Sequence, residues 1–352
     1  MPRIEIALSQ IQDNARMLSE LYGQKGISLM GVSKAALGDP QVARAMIQGG
    51  VDLIADSRLE NIQRMKKAGI SIPFVLLRTA PSQAESVVRT VDISLNTEFE
   101  TIQELSRFAK KQKKTHKIIL MVELGDLREG VLPSELPLLV KSIQDLPNIE
   151  ITGIGTNLAC YGGIKPDNQN MDRLSQIANS VEKDFQLQLE IISGGNSANH
   201  DWVQSTQNVG RINNLRLGES LLLGRETIGR NPIPGLHTEA FRLVAEVIES
   251  KEKPSLPIGE ISQTAFGDVP TFVDRGIRRR VIVALGRQDV LISGLKPISS
   301  DLEILGASSD HLILHSRNHT LKIGSEVEFH LDYGALLSAM TSPFIEKVFL
   351  NS

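Results

Sequence analysis

Cysteine is nearly absent from this sequence. Cys160 is the only one among the 352 residues, which excludes a disulfide framework within the chain and any zinc site made of several cysteines. A lone cysteine of this kind is more often a small buried side chain than a nucleophile. We therefore expect Cys160 to be buried and to take no part in catalysis.

Long apolar runs and an excess of one charge are also lacking. No stretch reaches about 18 consecutive apolar residues, and the first residues lack the apolar segment of a signal peptide, so we expect a cytoplasmic protein without a membrane span. Lys and Arg number 38 against 41 Asp and Glu, and this net charge of −3 disfavours nucleic acid as a partner. Apolar residues make up 41% and charged residues 22%, which is ordinary for a folded globular chain.

From residue 28 to about 219 the chain alternates short β-branched apolar runs with helical segments. The eight apolar runs cover residues 28–34, 52–58, 72–78, 92–97, 117–125, 149–158, 189–195 and 213–219. The helical segments include residues 40–49, 59–68, 98–113, 133–143 and 170–183. Eight such strand and helix units close an α/β fold of the (β/α)8 TIM-barrel type. An open doubly wound sheet is the alternative, but it more often has about six strands and a glycine-rich first turn.

The remainder of the chain has a different pattern. After about residue 236 the apolar runs are short and separated by Gly, Pro, Ser and Asn, with no long helical segment, which is typical of a mostly-β domain. Residues 230–238, RNPIPGLHT, form the natural hinge because their two prolines neither continue a helix nor pair inside a sheet. The sequence thus predicts a barrel domain over residues 1–229 and a C-terminal β domain over residues 230–352.

Polar residues stand at or just beyond the end of every predicted barrel strand, where barrel active sites are built. They are Lys34, Arg58, Arg78, Asn96, Arg128, Asn157, Asn196 and Arg216. Lys34 ends the first run, and a lysine at a barrel mouth can be desolvated and form a Schiff base with an aldehyde. From this residue alone, a surface lysine is the alternative.

A predicted phosphate-binding segment favours the functional interpretation of Lys34. SGGNSAN, residues 193–199, begins at the end of the seventh run, and LRLGES, residues 215–220, overlaps the eighth. Small residues let backbone N–H groups approach an anion, Ser197 can donate its hydroxyl, and the loops after the last two barrel strands are the recurrent phosphate site of this fold. A lysine on the first strand facing such a site suits pyridoxal 5'-phosphate as the cofactor.

Several segments carry a family resemblance along nearly the whole chain. In order, they are GVSKAALGDP, DSRLENI, VELGDLREGV, GTNLACYGG, SGGNSAN, LRLGESLLLGRE, ALGRQDV, GASSDH and MTSP. Through them the sequence resembles the alanine racemase-like, fold-type III pyridoxal-phosphate enzymes, and most closely their ornithine racemase branch. The resemblance implies a cytoplasmic amino-acid racemase, an isomerase, that acts on ornithine. It also implies a homodimer in which the β domain of one chain completes the active site of the other.

The resemblance also implies roles for residues of the cofactor site. Lys34 matches the lysine that holds the cofactor and serves as one acid/base group, and Arg128 matches the arginine near the phenolic oxygen of the cofactor. The other matched positions are Asn157, where the wider family has a histidine against the ring, the Asn196 and Ser197 pair of the phosphate loop, and Arg216, which faces the pyridine nitrogen. Gly195 and Gly218 are candidate backbone donors beside that pair. Because an arginine stays protonated, it leaves that nitrogen without a proton, which favours proton removal and return over transamination.

Racemisation needs an acid/base group on each face of the α-carbon, or one group that serves both. In alanine racemases the second group is a tyrosine within Gly-Tyr-Ala-Asp-Gly, and Arg287 of ALGRQDV stands at that position. Since arginine is too basic to shuttle protons easily, we expect the second group to be His311, oriented by Asp310. An unusual role of Arg287 itself and Tyr333 are the further options.

The same comparison of motifs bears on the substrate. The tyrosine that follows the cofactor lysine in alanine racemases is missing here, where residues 34–38 are KAALG. A pocket without that ring can admit a longer side chain. Arg287 is the candidate for the substrate carboxylate, and Asp289, with Glu219 as an alternative, for the terminal ammonium of ornithine.

Other functions stay open at this point. The chain could racemise alanine, lysine or serine, or be a D-amino-acid aldolase or dehydratase, which share the plan but would be expected to add a metal near the cofactor. We predict no catalytic metal, because His311, His315 and His319 recur every four residues in a strand and turn, where that spacing separates them by roughly 13 Å. A pyridoxal-phosphate carrier protein shares the barrel but has a single domain.

Overall fold

The computed structural model describes residues 1–318 and 320–350, and the chain splits into two compact units. One unit is Leu8–Thr238, and the other combines Met1–Ala7 with the chain from Glu239 onward. This differs from the predicted division at the N-terminus. Strand β1 (Arg3–Ala7) pairs with strands of the C-terminal unit and so belongs to it rather than to the barrel.

Eight parallel strands close a barrel in the first unit, in the order in which they occur in the sequence. The strands are β2 (Ser28–Val32), β3 (Leu53–Asp56), β4 (Phe74–Leu76), β5 (Ile93–Asn96), β6 (His116–Met121), β7 (Ile149–Gly155), β8 (Ile191–Ser193) and β9 (Asn214–Leu217). All eight predicted runs form strands, and the predicted (β/α)8 barrel is confirmed. The last strand pairs with the first, with Ser28 opposite Asn214 and Gly31 opposite Leu217.

Helices alternate with these strands along the chain. They are α1 (Leu8–Gly23), α2 (Pro40–Gln48), α3 (Leu59–Lys67), α4 (Ala84–Thr90), α5 (Phe99–Gln112), α6 (Leu136–Gln144), α7 (Asn168–Phe185), α8 (His200–Ser205) and α9 (Glu219–Leu223). Local signals fix their starts: the Asp39 side chain caps α2, and Asp167 and Asn170 form a capping box on α7. None of the helices in the described part of the chain is long and apolar enough to cross a membrane.

The barrel interior is filled by alternate residues of neighbouring strands. A β-carbon on Gly31 would lie 3.1 Å from Met46 Sδ of α2, so this side of β2 faces the helices and the opposite side faces inward. One cluster of buried side chains lies on the inward side: Met30, Val32, Ala55, Val75, Ile93, Leu95, Ile119 and Met121. Polar residues that follow these positions along the strands therefore reach the barrel mouth.

The C-terminal unit is mostly antiparallel sheet, as predicted. Besides β1 its strands are β10 (Phe241–Pro254), β11 (Ile277–Val283), β12 (Leu295–Pro297), β13 (Leu302–Ala307), β14 (Leu312–Ser316), β15 (Glu326–Leu331) and β16 (Glu346–Leu350). The long strand β10 pairs antiparallel with β1, β11 and β15, and β1 pairs in parallel with β16.

The sequence predicted no long helical segment in this domain, and the structure adds one short helix that the sequence pattern did not reveal. Helix α10 (Tyr333–Thr341) runs for nine residues, and the Asp332 side chain caps it by accepting a hydrogen bond from the Ala335 N–H. Its sequence, YGALLSAMT, is apolar on most sides, so the usual amphipathic spacing gives no helical signal.

A buried histidine links two barrel strands. His116, at the start of β6, is 2% exposed, and its Nε2 lies 2.8 Å from the Ser94 hydroxyl on β5. Burial lowers the pKa of His116 from its ordinary 6.5 to about 4. The imidazole is therefore neutral in the folded barrel at neutral pH.

His116 should make the barrel sensitive to acid. As pH falls from 6.5 to about 4, His116 binds a proton in the unfolded chain but stays neutral in the folded barrel. The free energy of unfolding therefore decreases. The full effect is about 3 kcal/mol. His116→Gln should flatten the dependence of the urea-unfolding midpoint on pH, whereas the exposed His237→Gln should not. Equal pH slopes for the wild type and His116→Gln would contradict the assignment.

Candidate active site at the barrel mouth

Lys34 stands at the C-terminal end of the first barrel strand. It begins a short 3-10 turn, Lys34–Ala36, that follows β2 after Ser33. It lies two residues beyond the inward-facing Val32 and is half-buried. The structure thus places this amine at the mouth of the barrel, where the sequence predicted it.

The loops after β8 and β9 meet through two hydroxyl groups. Ser197 Oγ lies 3.0 Å from Ser220 Oγ and also accepts a hydrogen bond from the Ser220 N–H at 3.1 Å. Asn196 caps the 3-10 turn Ser197–Asn199, because its Oδ1 accepts from the Ala198 N–H at 2.8 Å. The predicted phosphate segment is therefore a tight turn with small hydroxyl side chains.

Two glycines lie beside the predicted phosphate site. Gly195 has φ +139°, and a β-carbon there would lie 2.5 Å from Asn199 Oδ1, so only glycine fits without rearrangement. Gly218 follows β9, and a β-carbon there would stand 3.4 Å from Val32 Cβ. Only Gly195 is therefore required by a close approach of the backbone to its neighbours, since the contact at Gly218 is an ordinary van der Waals distance.

Arg216 of β9 is a buried cation among neutral partners. It is 5% exposed, and its guanidinium donates to Ser193 Oγ at 2.6 Å, to the Thr156 carbonyl at 2.6 Å and to Asn157 Oδ1 at 3.5 Å. A β-carbon on Gly155 would lie 3.3 Å from its Nη1. Burial lowers the pKa of Arg216 to about 10, so the group remains protonated at neutral pH.

Asn157 holds an unused hydrogen-bond donor beside this cation. Its Oδ1 also accepts from Asn196 Nδ2 at 3.1 Å, whereas its own Nδ2 is buried and has no partner among the described residues. Buried polar atoms are rarely left unpaired. The amide therefore has a free donor for an acceptor that enters the barrel mouth.

Arg128 lies on the loop after β6. Its guanidinium is exposed and pairs with the adjacent Glu129 at 2.8 Å. The charges of both residues act, in opposite directions, on the pKa of Arg216, after the larger effect of burial. Arg128 is thus at the same end of the barrel as Arg216, as the sequence predicted.

The expected burial of Cys160 is wrong, because the side chain is exposed. The cause is Asp126, a fully buried carboxylate that accepts hydrogen bonds from the backbone N–H groups of Cys160, Tyr161 and Gly162 at 2.9–3.1 Å. These bonds hold the backbone of the loop after β7 and leave its side chains toward solvent, with Tyr161 78% exposed.

The predicted substrate residues lie in the C-terminal unit. The Arg287 guanidinium stacks 4.2 Å from the Phe266 ring centroid and lies 3.8 Å from the Asp268 carboxylate. Asp289 is 7% exposed, and its Oδ2 accepts from the Gly286 N–H at 2.8 Å. Asp289 therefore closes the turn that carries Arg287.

Asp310 and His311 form the pair that the sequence predicted. His311 Nδ1 lies 2.8 Å from Asp310 Oδ1, and both side chains are exposed. The hydrogen bond with His311 lowers the pKa of Asp310, with smaller effects of Ser308 and Ser309. Since Nδ1 is engaged, Nε2 is the imidazole nitrogen available for proton transfer.

Glu219 and Tyr333 are the remaining candidates from the sequence. The Glu219 carboxylate pairs with Arg230 at 2.6 Å and is 8% exposed, and Tyr333 is the first residue of α10. Among the described residues no three His, Cys, Asp or Glu side chains are grouped to hold a metal, and His319 lies outside those residues.

Four residues at the barrel mouth were not predicted from the sequence to have a role in the site. Ser193 and Thr156 orient Arg216, Ser220 pairs with Ser197, and Asp126 shapes the loop after β7. Ser193, Ser220 and Asp126 all lie within the quoted motifs, so a search for buried hydroxyl and carboxyl partners in those motifs would have found them.

The residues at the barrel mouth fit pyridoxal 5'-phosphate. A phosphorylated aldehyde needs an amine, donors for the phosphate and a partner for the ring nitrogen. Lys34 would supply the first, Ser197 and the glycine-bounded turn the second, and Arg216 the third. The Asn157 amide adds a donor that no other group in the described part of the chain uses.

Comparisons with known proteins agree with this fit. The profile of the alanine racemase N-terminal domain matches residues 6–225. An ornithine racemase of Acetoanaerobium sticklandii is 43% identical over 99% of this chain and 99% of its own. A lysine racemase of Thermotoga maritima is 40% identical over 99% of this chain and 98% of its own.

Solved structures share the fold over the whole chain. Alanine racemase from Streptomyces lavendulae superposes with a TM-score of 0.77 at 17% identity, over 100% of this chain and 97% of its own. Alanine racemase from Bartonella henselae, which carries covalently bound pyridoxal phosphate, has a TM-score of 0.74 at 19% identity, over 99% of each chain. The chain belongs to the alanine racemase family and is a pyridoxal-phosphate-dependent amino-acid racemase.

Proposed function

We propose that this enzyme interconverts L- and D-ornithine. The observation that carries the proposal is the 43% identity with an ornithine racemase along the full length of both chains. The absence of an aromatic residue in KAALG, residues 34–38, supports it, because the space left by a ring accommodates a longer substrate side chain. Lysine is the second candidate, since a lysine racemase is 40% identical over nearly the same length.

Lys34 is the proposed acid/base group on one face of the substrate. Pyridoxal 5'-phosphate, when bound, withdraws electrons from the α-carbon and so makes its proton removable. The Lys34 amine at the end of β2 takes that proton from one face and returns it. Ser197, Asn196, Gly195 and Gly218 hold the phosphate, and Arg128 and Asn157 hold the ring substituents.

Arg216 controls the ring nitrogen. With its pKa at about 10, the guanidinium presents only donors at neutral pH. A ring nitrogen that meets it can only accept a hydrogen bond and stays without a proton. Its three hydrogen bonds to neutral oxygens fix the guanidinium without cancelling its charge. This arrangement favours racemisation over transamination.

We propose that the acid/base group on the other face of the substrate comes from the C-terminal unit of the partner chain in a homodimer. His311 Nε2 is the second acid/base group, and Asp310 holds its Nδ1 at 2.8 Å. Arg287, braced by Phe266 and Asp268, binds the substrate carboxylate, and Asp289 attracts the terminal ammonium. A cytoplasmic location is likewise a proposal from the sequence.

Lys34→Ala should abolish both cofactor attachment and catalysis. We expect the absorbance of lysine-bound pyridoxal phosphate to disappear and racemisation to fall at least about 100-fold. Lys67→Ala, an exposed lysine of α3, is the matched control and should change neither. Lysine-bound absorbance that persists in Lys34→Ala would disprove this role.

Substrate preference is testable with the loaded wild-type enzyme. Incubation with L-ornithine, L-lysine, L-alanine or L-serine, followed by chiral chromatography, should give the fastest loss of optical activity with ornithine. A faster reaction with lysine would transfer the assignment to the second candidate. No racemisation of any of the four would point to an untested amino-acid substrate, or to a D-amino-acid aldolase or dehydratase.

The second acid/base group is testable by isotope exchange. Removal of a group on one face slows α-proton exchange from one enantiomer only, so His311→Asn should reduce it about 10- to 100-fold for one enantiomer and little for the other. Asp310→Asn should act in the same direction more weakly. His330→Asn, on β15 of the same unit, is the control. Equal small effects on both enantiomers would instead implicate Arg287 or Tyr333.

A further inference from the structure

A buried carboxylate lies directly behind the Lys34 turn, and the proposed mechanism does not use it. Asp56, the last residue of β3, is 0% exposed. Its Oδ2 accepts from the Ser33 hydroxyl at 2.7 Å, and its Oδ1 from the Arg58 N–H at 2.9 Å and from Asn61 Nδ2 at 3.0 Å. All three donors are neutral groups, since Arg58 contributes only its backbone.

Keeping such a group inside the protein is unfavourable. Burial raises the pKa of Asp56, while the hydrogen bonds from Ser33, Arg58 and Asn61 lower it. Desolvation of a carboxylate is costly unless its oxygens are fully hydrogen-bonded. A neutral residue would avoid this cost. We therefore expect the carboxylate to be needed for the groups that it holds in place.

On one side, Asp56 holds the residue before Lys34. Every polar group of Ser33 is engaged: its Oγ with Asp56, its N–H with the Ala55 carbonyl at 3.0 Å, and its carbonyl with the N–H groups of Ala36 at 2.9 Å and Gly38 at 3.2 Å. The backbone that enters Lys34 has therefore little freedom to rotate.

On the other side, Asp56 holds the end of the same turn through Asn61 of α3. Gly38 has φ +59°, and a β-carbon there would lie 2.5 Å from Asn61 Cβ. The neighbouring Arg64 guanidinium donates to the Leu37 carbonyl. One carboxylate thus links the residues that close the Lys34 turn at both ends.

We propose that Asp56 is a positioning residue for Lys34, acting through Ser33 on one side of the turn and Asn61 on the other. The inference rests on the proposed role of Lys34. The network restricts the lysine backbone, so the amine approaches the cofactor and the substrate α-carbon from one direction. Misplacement by about 1 Å costs up to about 100-fold in rate.

The test is a comparison of Ser33→Ala with Ser33→Thr. Ser33→Ala cuts the link to Asp56 without touching the site, and kcat should fall about 10- to 100-fold with KM changed less than about threefold. The rate at which the apoenzyme acquires lysine-bound pyridoxal-phosphate absorbance should fall as well. Ser33→Thr keeps the hydroxyl and should restore both. The control is Ser106→Ala, a buried serine of α5 that donates to the Pro147 carbonyl at 2.6 Å.

Asp56→Ala and the double variant complete the cycle. If Ser33 and Asp56 act as one unit, the double variant should lose no more kcat than the single ones. Wild-type kcat and cofactor uptake in Ser33→Ala, with only a lower melting temperature, would overturn the proposal. If Ser33→Ala does not fold, unchanged kcat in Asp56→Ala would overturn it equally. A failure of the Lys34 assignment is separate, because it shows as lysine-bound absorbance that persists in Lys34→Ala.

Discussion

The pairing of β9 with β2 is the constraint on which the candidate site depends. This is the contact that closes the barrel, and it joins segments almost 190 residues apart, with Ser28 opposite Asn214. The register also sets Met30 opposite Arg216. Because of it, the loop that begins with Lys34 and the loop that follows Arg216 emerge side by side. A shift of one residue would turn Arg216 toward the helices and away from Ser193, Thr156 and Asn157, its present partners.

Two opposite charges are buried at this end of the barrel, and each is surrounded by neutral groups. Arg216 donates to hydroxyl, carbonyl and amide oxygens, and Asp56 accepts from hydroxyl, amide and backbone N–H groups. A direct ion pair would neutralise both charges and hold them to each other. Neutral partners fix the position of each group instead, so that Arg216 can face a bound ring while Asp56 holds the Lys34 turn.

The sequence predicted the barrel well because its signals are local and repeated. The side chains of each apolar run, such as residues 28–34, lie either inside the barrel or against the helices, so both sides of the run are mainly apolar. Polar residues such as Asn157 and Arg216 stand where the strands end. The sequence did not reveal α10, which is apolar on most sides, or the exposure of Cys160, which depends on Asp126 some 34 residues earlier. The sequence did not indicate the Asp56 network either, since it joins residues of three separate elements. Sequence patterns report the direction of a side chain, not its partners in space.

Strand β1 has a consequence for how the chain assembles. It precedes the barrel in the sequence, yet its neighbours β10 and β16 begin at Phe241 and Glu346, after the barrel. During synthesis the ribosome therefore delivers the entire barrel before either partner of β1 exists. The barrel can close early as an independent nucleus, while the N-terminal strand waits with its backbone groups unpaired. This sheet is thus completed by strands that lie on both sides of the barrel in the sequence.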